Sequence, residues 1–129
     1  MARHRKPGPT DRELAILSVL WDRGPSTVRA VHETLHPDSE TGYTTTLKLM
    51  QIMAEKGLLS RKGAGRQHIY SPVISEEKTQ KQVVGDMLEK VFAGSAEKLV
   101  MRALSAKKVS AKELKRIREM LDEIEGARS

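Results

Sequence analysis

Stop signals cut the first half of this sequence into three short helical segments, and their spacing constrains the fold more than any other feature. The breaks stand at Gly24-Pro25, Pro37 and Gly57. Between them apolar residues recur at helical spacing, and a residue that precedes a proline disfavours the helical conformation. A glycine such as Gly57 accommodates the left-handed conformation that commonly ends a helix. We therefore predict three successive helices before the chain changes character.

Hydroxyl residues mark the predicted starts of the helices. Thr10, followed three residues later by a glutamate, begins a capping box at the first helix. Ser26 is the predicted N-cap of the second helix. In the second half of the chain, helical spacing of apolar residues resumes behind Ser75, Ser95 and Ser110. We therefore predict three further helices there.

After Gly57 the apolar period changes and two short strand candidates follow. They occupy residues 58–62 and 67–71, and the glycine-containing segment 63–66 joins them as a turn. Three cations lie at or beside this turn, namely Arg61, Lys62 and Arg66. Three helices followed by a basic hairpin are the layout of a winged helix-turn-helix domain, in which the third helix enters the DNA major groove. The predicted fold class is therefore mainly α with a small β-hairpin wing.

The third predicted helix has two unlike faces. Thr44, Thr45 and Lys48 fall within roughly a 100° arc at 3.6 residues per turn, and apolar residues dominate the opposite side. Short hydroxyls and one cation suit contact with base edges, although an ordinary amphipathic surface helix would show the same pattern. Together with Tyr43, which we expect near a phosphate, the residues predicted to contact DNA are Tyr43, Thr44, Thr45, Lys48, Arg61, Lys62 and Arg66.

The charge balance and the remaining segments complete a three-part organisation. Lysine and arginine number 23 against 17 acidic residues, a formal net charge of +6 that suggests a polyanionic partner. Residues 1–9 are basic and contain two prolines, which predicts a flexible arm that either touches DNA or is merely disordered. Residues 10–73 are the predicted winged helix-turn-helix domain. Residues 74–129 are the predicted three-helix dimerisation region.

The last three helices carry apolar stripes but are too short to form much core of their own. Their stripes need a partner surface, and a second copy of the chain is the simplest supplier because most oligomers are twofold homodimers. Folding back on the N-terminal domain is the alternative. The predicted dimerisation residues are Val84, Met87, Leu88, Val91, Leu114, Ile117, Leu121 and Ile124.

The run His32-Glu33-Thr34-Leu35-His36 matches the H-E-x-x-H motif of zinc metalloproteases. Zinc hydrolysis is therefore an alternative function, but Pro37 directly follows the second histidine and His68 is the only later one. We expect His32 and His36 to be partly exposed residues of a scaffold helix. No cofactor or metal site is predicted, and the protein is not expected to be an enzyme.

The chain contains no cysteine, which excludes disulfides and thiolate chemistry and fits a reducing compartment. No apolar run approaches the ~18 residues that a membrane span requires, and the N-terminus has no apolar signal segment. We expect a cytoplasmic protein without direct membrane insertion. A winged-helix protein-interaction module that does not bind DNA remains an alternative to a DNA-binding regulator.

Several motifs together resemble the penicillinase/methicillinase repressor family (BlaI/MecI type), and the resemblance covers nearly the whole chain after the basic arm. They lie at 13–21, 24–29, Val31-His32, 42–45, 55–58, Gly65-Arg66 and 70–72. The resemblance implies a homodimeric winged-helix repressor of β-lactamase or other antibiotic-resistance genes. It also implies binding to double-stranded operator DNA with inverted TACA/TGTA-type half-sites.

The family resemblance further implies an inducing partner, a membrane-bound sensor metalloprotease that cleaves the repressor in its dimerisation region. The cleaved pair in the family is typically Asn-Phe, and here Arg102-Ala103 stands at the matching place. Induction by that cleavage is therefore in question for this chain. The copper-responsive branch of the family uses C-terminal cysteine pairs, and the lack of cysteine disfavours it.

Overall fold

The computed structural model describes residues 8–39, 41–63 and 67–128 of the chain. Across these residues the fold is mainly helical with one small antiparallel hairpin, as the sequence predicts. In chain order the elements are α1 (Asp11–Arg23), α2 (Val28–Leu35), α3 (Tyr43–Glu55), β1 (Leu59–Lys62), β2 (Ile69–Pro72), α4 (Glu76–Lys90), α5 (Ala96–Ala106) and α6 (Ala111–Arg128). None of the described helices is both long enough and apolar enough to cross a bilayer.

The start of α1 confirms the predicted capping box. The Glu13 backbone N–H donates to the Thr10 hydroxyl at 3.2 Å, and the Thr10 N–H donates to the Glu13 carboxylate at 3.0 Å. The Thr10 side chain thus satisfies the N–H of Glu13, and the Glu13 side chain satisfies the N–H of Thr10. Neither N–H has a partner within the helix. The predicted caps at Ser75, Ser95 and Ser110 also form, since each serine hydroxyl accepts from the N–H three residues later.

The end of α3 is a Schellman motif built on Gly57, which has φ of +86°. The Leu58 N–H donates to the Met53 carbonyl at 2.9 Å, and the Gly57 N–H donates to the Ala54 carbonyl at 3.1 Å. These are the two hydrogen bonds that define the motif, and glycine tolerates the left-handed conformation they require. The predicted stop at Gly57 is confirmed, and the chain turns from α3 directly into β1.

The predicted cap of α2 is wrong by one residue. The Thr27 hydroxyl accepts from the Ala30 N–H at 3.1 Å, so Thr27 is the N-cap. Ser26 instead forms a β-bridge with Tyr70, because each residue donates its N–H to the carbonyl of the other at 3.0 and 2.8 Å. Backbone pairing across the fold therefore uses Ser26 and ties the segment before α2 to β2.

The chain divides into two compact units, residues 1–84 and 85–129, and the division falls within α4. The first unit has a closed apolar core to which α1, α2, α3 and both strands contribute. Its buried members are Ile16, Leu17, Val19, Leu20, Val28, Val31, Met50, Met53, Leu59 and Tyr70. Burial of each large side chain contributes roughly 1.5–3 kcal/mol. The domain limits predicted from the sequence, at 73/74, stay a prediction.

The second unit consists of the end of α4, then α5 and α6, and none of its described residues is buried. Helix α4 ends at Lys90, earlier than the apolar pattern predicts, because the backbone turns at Ala93 (φ +50°) and Gly94 (φ +80°). The Gly94 N–H donates to the Leu88 carbonyl at 2.8 Å across this turn. Val91 therefore lies in the turn and not on the helix.

Candidate nucleic-acid interface

The N-terminus of α3 is open because its N-cap is a glycine. Gly42 has φ of +91° and offers no side chain to accept from the first N–H groups of the helix. Backbone N–H groups of a first helical turn have no partner within the helix, and they form its positive end. This end of α3 is therefore suited to lie near an anion such as a phosphate.

The two-faced interpretation of α3 is confirmed by the burial of its side chains. Thr46, Met50 and Met53 are buried, whereas Thr44, Thr45 and Lys48 are all exposed. The predicted groove-facing residues thus lie together on one accessible surface. Helical geometry continues that surface toward the C-terminal end of α3 through three further exposed side chains, Gln51, Ile52 and Glu55.

Gln51 is a candidate that the sequence interpretation missed. It is exposed three residues after Lys48, which places it at the edge of the polar arc that is nearer the hairpin. It borders two grooves, one shared with Gln67 and His68 and the other with Arg61. An amide that can both donate and accept matches the major-groove edge of adenine. The signal was available in the sequence, since the helical spacing that links Thr44 to Lys48 also reaches residue 51.

Arg29 is a second missed candidate, and it lies on α2. Its guanidinium carbon is 4.9 Å from the centroid of the Tyr43 ring, a cation–π contact. The other neighbour of Tyr43 is His32, whose ring meets it edge-on with centroids 5.8 Å apart. Tyr43 is thus held between two side chains of α2, and Arg29 adds an exposed cation beside the start of α3. A tertiary contact creates this pair, so sequence spacing carried no signal for it.

The hairpin carries its described cations on opposite faces. Arg61 and Lys62 are adjacent in β1 and both are exposed, and successive side chains of a strand point to opposite sides. Arg61 lines the groove shared with Gln51 and Glu55, so it lies beside the exposed surface of α3. Lys62 pairs in register with Ile69. Arg66, the third predicted wing cation, lies outside the described residues.

The C-terminal end of α3 is bound to α1 by an ion pair. The Lys56 ammonium is 2.8 Å from the Glu13 carboxylate, whose side chain is buried. Burial raises the pKa of Glu13, but hydrogen bonds from Lys56 and Thr10 outweigh it and leave that pKa below its usual range. Lys56 is thus held by Glu13, and it fixes α3 against α1.

The H-E-x-x-H run is not arranged as a metal site. His32 is 3% exposed, and its ring nitrogens lie 2.9 Å from the Thr46 hydroxyl and 3.1 Å from the Ser39 carbonyl. Neither nitrogen is free to bind zinc. The expectation that His32 is partly exposed is therefore wrong, while His36 is exposed as expected. Among the described residues no group of three metal-binding side chains comes together.

The predicted dimerisation residues are accessible in the single chain. Five of them are exposed, namely Val84, Met87, Val91, Leu121 and Ile124, and three are half-buried, namely Leu88, Leu114 and Ile117. Arg102-Ala103 is exposed within α5.

The arrangement as a whole defines a class of protein, a winged-helix unit with an exposed polar surface on its third helix, followed by a helical unit. The family model described as penicillinase repressor matches residues 9–123. The chain therefore belongs to the penicillinase repressor family, and the predicted family is confirmed.

Two relatives named as regulators or repressors agree with this membership. The chain is 32% identical over 117 residues to the transcriptional regulator BlaI of Mycobacterium tuberculosis, a match that covers 89% of this chain and 83% of that protein. It is 23% identical over 117 residues to the penicillinase repressor of Bacillus licheniformis, covering 91% of each. Among solved structures, AbfR of Staphylococcus epidermidis matches with a TM-score of 0.41 and 19% identity, covering 93% of this chain and 74% of that one.

Proposed function

We propose that this protein is a transcriptional repressor that binds double-stranded operator DNA as a homodimer and is not an enzyme. The observation that carries the proposal is the exposed polar arc of α3, opposite a face on which Thr46, Met50 and Met53 are buried. Membership in the penicillinase repressor family supports a role in transcriptional regulation, and the β-lactam resistance genes of that family are the first candidates for control. We expect the protein to act in the cytoplasm, beside the DNA.

In this proposal α3 reads the major groove with Thr44, Thr45 and Lys48, whose hydroxyls, methyls and cation match base edges and thymine methyl groups. Tyr43 packs at the start of α3, where the open helix end favours a phosphate. The wing cations Arg61, Lys62 and Arg66 bind the backbone, which positions the protein without reading sequence.

A homodimer suits both halves of the chain. Short side chains on a single helix specify few base pairs, whereas two copies at a fixed separation read an inverted repeat. The exposed apolar residues of the second unit supply the surface that a second copy would cover. A separate proposal is that a sensor metalloprotease ends repression by cleaving the peptide bond between Arg102 and Ala103. Incubation of purified repressor with such a protease, followed by mass measurement of the fragments, tests it directly.

The test of DNA binding begins with two duplex probes. One is the region upstream of the gene that encodes this chain, and the other is the duplex that the full-length protein selects from a randomised pool. We expect a gel shift and a twofold-symmetric footprint at a concentration that leaves random DNA unbound. Equal affinity for selected and random duplexes at the same salt concentration would reject a sequence-specific repressor and favour a protein-interaction module.

Two substitutions separate base reading from backbone binding. Lys48→Ala should cost ~1–3 kcal/mol at the base pair that Lys48 contacts and relax the preference there. Arg61→Ala should weaken binding to the selected and random duplexes alike. It should also lower the salt dependence of the binding constant by about one released counterion. Lys112→Ala, an exposed lysine of α6, is the matched control and should change neither. If Lys48→Ala lowers the affinity for both duplexes equally, Lys48 contacts phosphate and does not read a base.

A further inference from the structure

We propose that His32 and Thr46 form a buried connection that positions the first turn of α3, and that discrimination between operator and random DNA depends on it. The inference rests on the proposed DNA-binding function and assigns a role to the histidine that the zinc motif left unexplained. His32 and Thr46 act as positioning residues, because neither side chain is accessible to DNA.

The connection has three partners on three segments of the chain. His32 Nδ1 lies 2.9 Å from the Thr46 hydroxyl on α3, and Nε2 lies 3.1 Å from the carbonyl of Ser39, in the segment between α2 and α3. A carbonyl only accepts, so Nε2 carries the hydrogen and Nδ1 of the neutral ring can only accept. The single hydroxyl hydrogen of Thr46 has two acceptors within reach, Nδ1 at 2.9 Å and the Gly42 carbonyl at 3.3 Å, and the shorter contact assigns it to Nδ1. One imidazole thus joins α2, the segment after it and α3.

The ring lies directly beneath the start of α3. A Cβ added at Gly42, the N-cap, would stand 3.8 Å from His32 Cε1. The Tyr43 ring meets the imidazole edge-on. Thr46 in turn donates its N–H to the Gly42 carbonyl at 2.9 Å. The imidazole therefore supports the turn that carries Tyr43, Thr44 and Thr45.

The rest of α3 is held by different contacts. Met50 and Met53 insert into the core, and Lys56 is bound to Glu13 at the C-terminal end. The first turn has neither of these anchors and no side-chain hydrogen bond at its N-cap, and its Tyr43 ring packs on His32 itself as well as on Arg29. Without the His32–Thr46 bond, this turn could shift while the remainder of the helix stays in place.

Such a shift affects specific and non-specific binding differently. Hydrogen bonds to base edges require the donor and acceptor to meet within a few tenths of an ångström, and a recognition site performs well only when supporting residues hold it. Attraction to phosphates is long-ranged and tolerates displacement. Loss of the connection should therefore lower affinity for the selected duplex and leave affinity for random DNA unchanged.

The decisive pair of variants is Thr46→Val and Thr46→Ser in the full-length protein. Valine keeps the shape and removes the hydroxyl, whereas serine keeps the hydroxyl. Equilibrium binding is measured by fluorescence anisotropy on the selected duplex and on a random duplex of equal length. We expect Thr46→Val to lower the affinity for the selected duplex about tenfold and to leave the affinity for the random duplex unchanged. A tenfold loss is the effect of one buried hydrogen bond. Thr46→Ser should keep wild-type discrimination.

A double-mutant cycle tests the pairing itself. His32→Phe alone should reduce discrimination, and His32→Phe combined with Thr46→Val should lose no more than the larger single loss, because both remove the same bond. Val19→Ala is the stability control, since it removes part of a core side chain on α1 and leaves the His32–Thr46 bond in place. It should lower thermal stability and leave discrimination unchanged.

Three outcomes in the single variants would overturn the inference. The first is an equal loss of affinity for both duplexes in Thr46→Val. The second is a loss of discrimination in Thr46→Ser as large as that in Thr46→Val, and the third is a loss of discrimination in Val19→Ala. Independent, additive losses in the double variant would also reject the pairing. Failure of the proposed function itself looks different, because the wild-type protein would then bind selected and random duplexes equally.

Discussion

The two units of this chain use their apolar residues in opposite ways. In residues 1–84 they meet in a closed core, where Met50, Met53 and Leu17 are completely buried. In residues 85–128 no described side chain is buried, and Met101, Met120 and Leu121 are more than half exposed. The first unit therefore has a buried core of its own, while the second leaves apolar side chains exposed that the proposed dimer would cover.

In the proposed function, this contrast separates DNA reading from dimerisation. A rigid first unit can hold α3 in a defined orientation, which base reading requires. The second unit leaves its apolar side chains available to another surface, and a second copy of the chain satisfies that need most simply. The three predictions that follow test this contrast, beginning with the largest expected effect.

Leu121→Glu should convert the proposed dimer into a monomer. A carboxylate buried without a partner in an apolar contact costs several kcal/mol, so the dimer should weaken by roughly 100-fold or more. Gly126→Glu is the matched control, because it adds the same charge on the opposite face of α6 at a site with open space. Sedimentation at micromolar concentration measures the mass. If the wild-type protein sediments as a monomer, a second copy of the chain does not cover the apolar residues of the second unit, and the proposed dimer is wrong.

Met53→Ala should destabilise the first unit by about 2–5 kcal/mol, since it leaves a cavity at a fully buried position. Met101→Ala removes the same side chain from an exposed position of the second unit and should change the unfolding of the first unit little. The only tryptophan, Trp21, donates to the Ile74 carbonyl at 3.0 Å within the first unit, so its emission reports on that unit alone. Equal shifts of the Trp21 urea transition in both variants would contradict two separate cores.

Glu13→Gln should produce the smallest effect, a loss of about 1–2 kcal/mol at neutral pH, because Lys56 is half exposed and solvent screens the pair. The folded-state pKa of Glu13 is lowered, so its contribution is present above the unfolded-state pKa and disappears as the pH falls through the folded-state pKa. Acid unfolding followed by Trp21 emission should therefore be less steep in the variant.

The control for that prediction is Lys81→Met. Lys81 lies 4.0 Å from Glu77 with both side chains exposed, and surface pairs of this kind contribute little. Its stability and pH dependence should match those of the wild type. An equal effect of Glu13→Gln and Lys81→Met would mean that the Glu13–Lys56 pair does not hold α1 to α3.

Local rules predicted most of the elements and half of the candidate surface. The capping box at Thr10, the stop at Gly57 and the exposed arc of Thr44, Thr45 and Lys48 follow from helical spacing and backbone preference. Ser26 was misassigned because both it and Thr27 are good N-caps, and only the backbone pairing with Tyr70 distinguishes them. A β-bridge between distant residues leaves no periodic signal.

The histidine motif shows most clearly which features local spacing predicts and which ones depend on tertiary contacts. By itself the sequence determined that His32 and His36 are one helical turn apart, because four residues make about one turn. It also determined which face of α3 is polar. Only the tertiary structure decided that His32 is enclosed by Thr46, Ser39 and Tyr43, and that Arg29 lies on Tyr43. Spacing along one helix specifies which side chains share a face, whereas packing between segments specifies what that face meets.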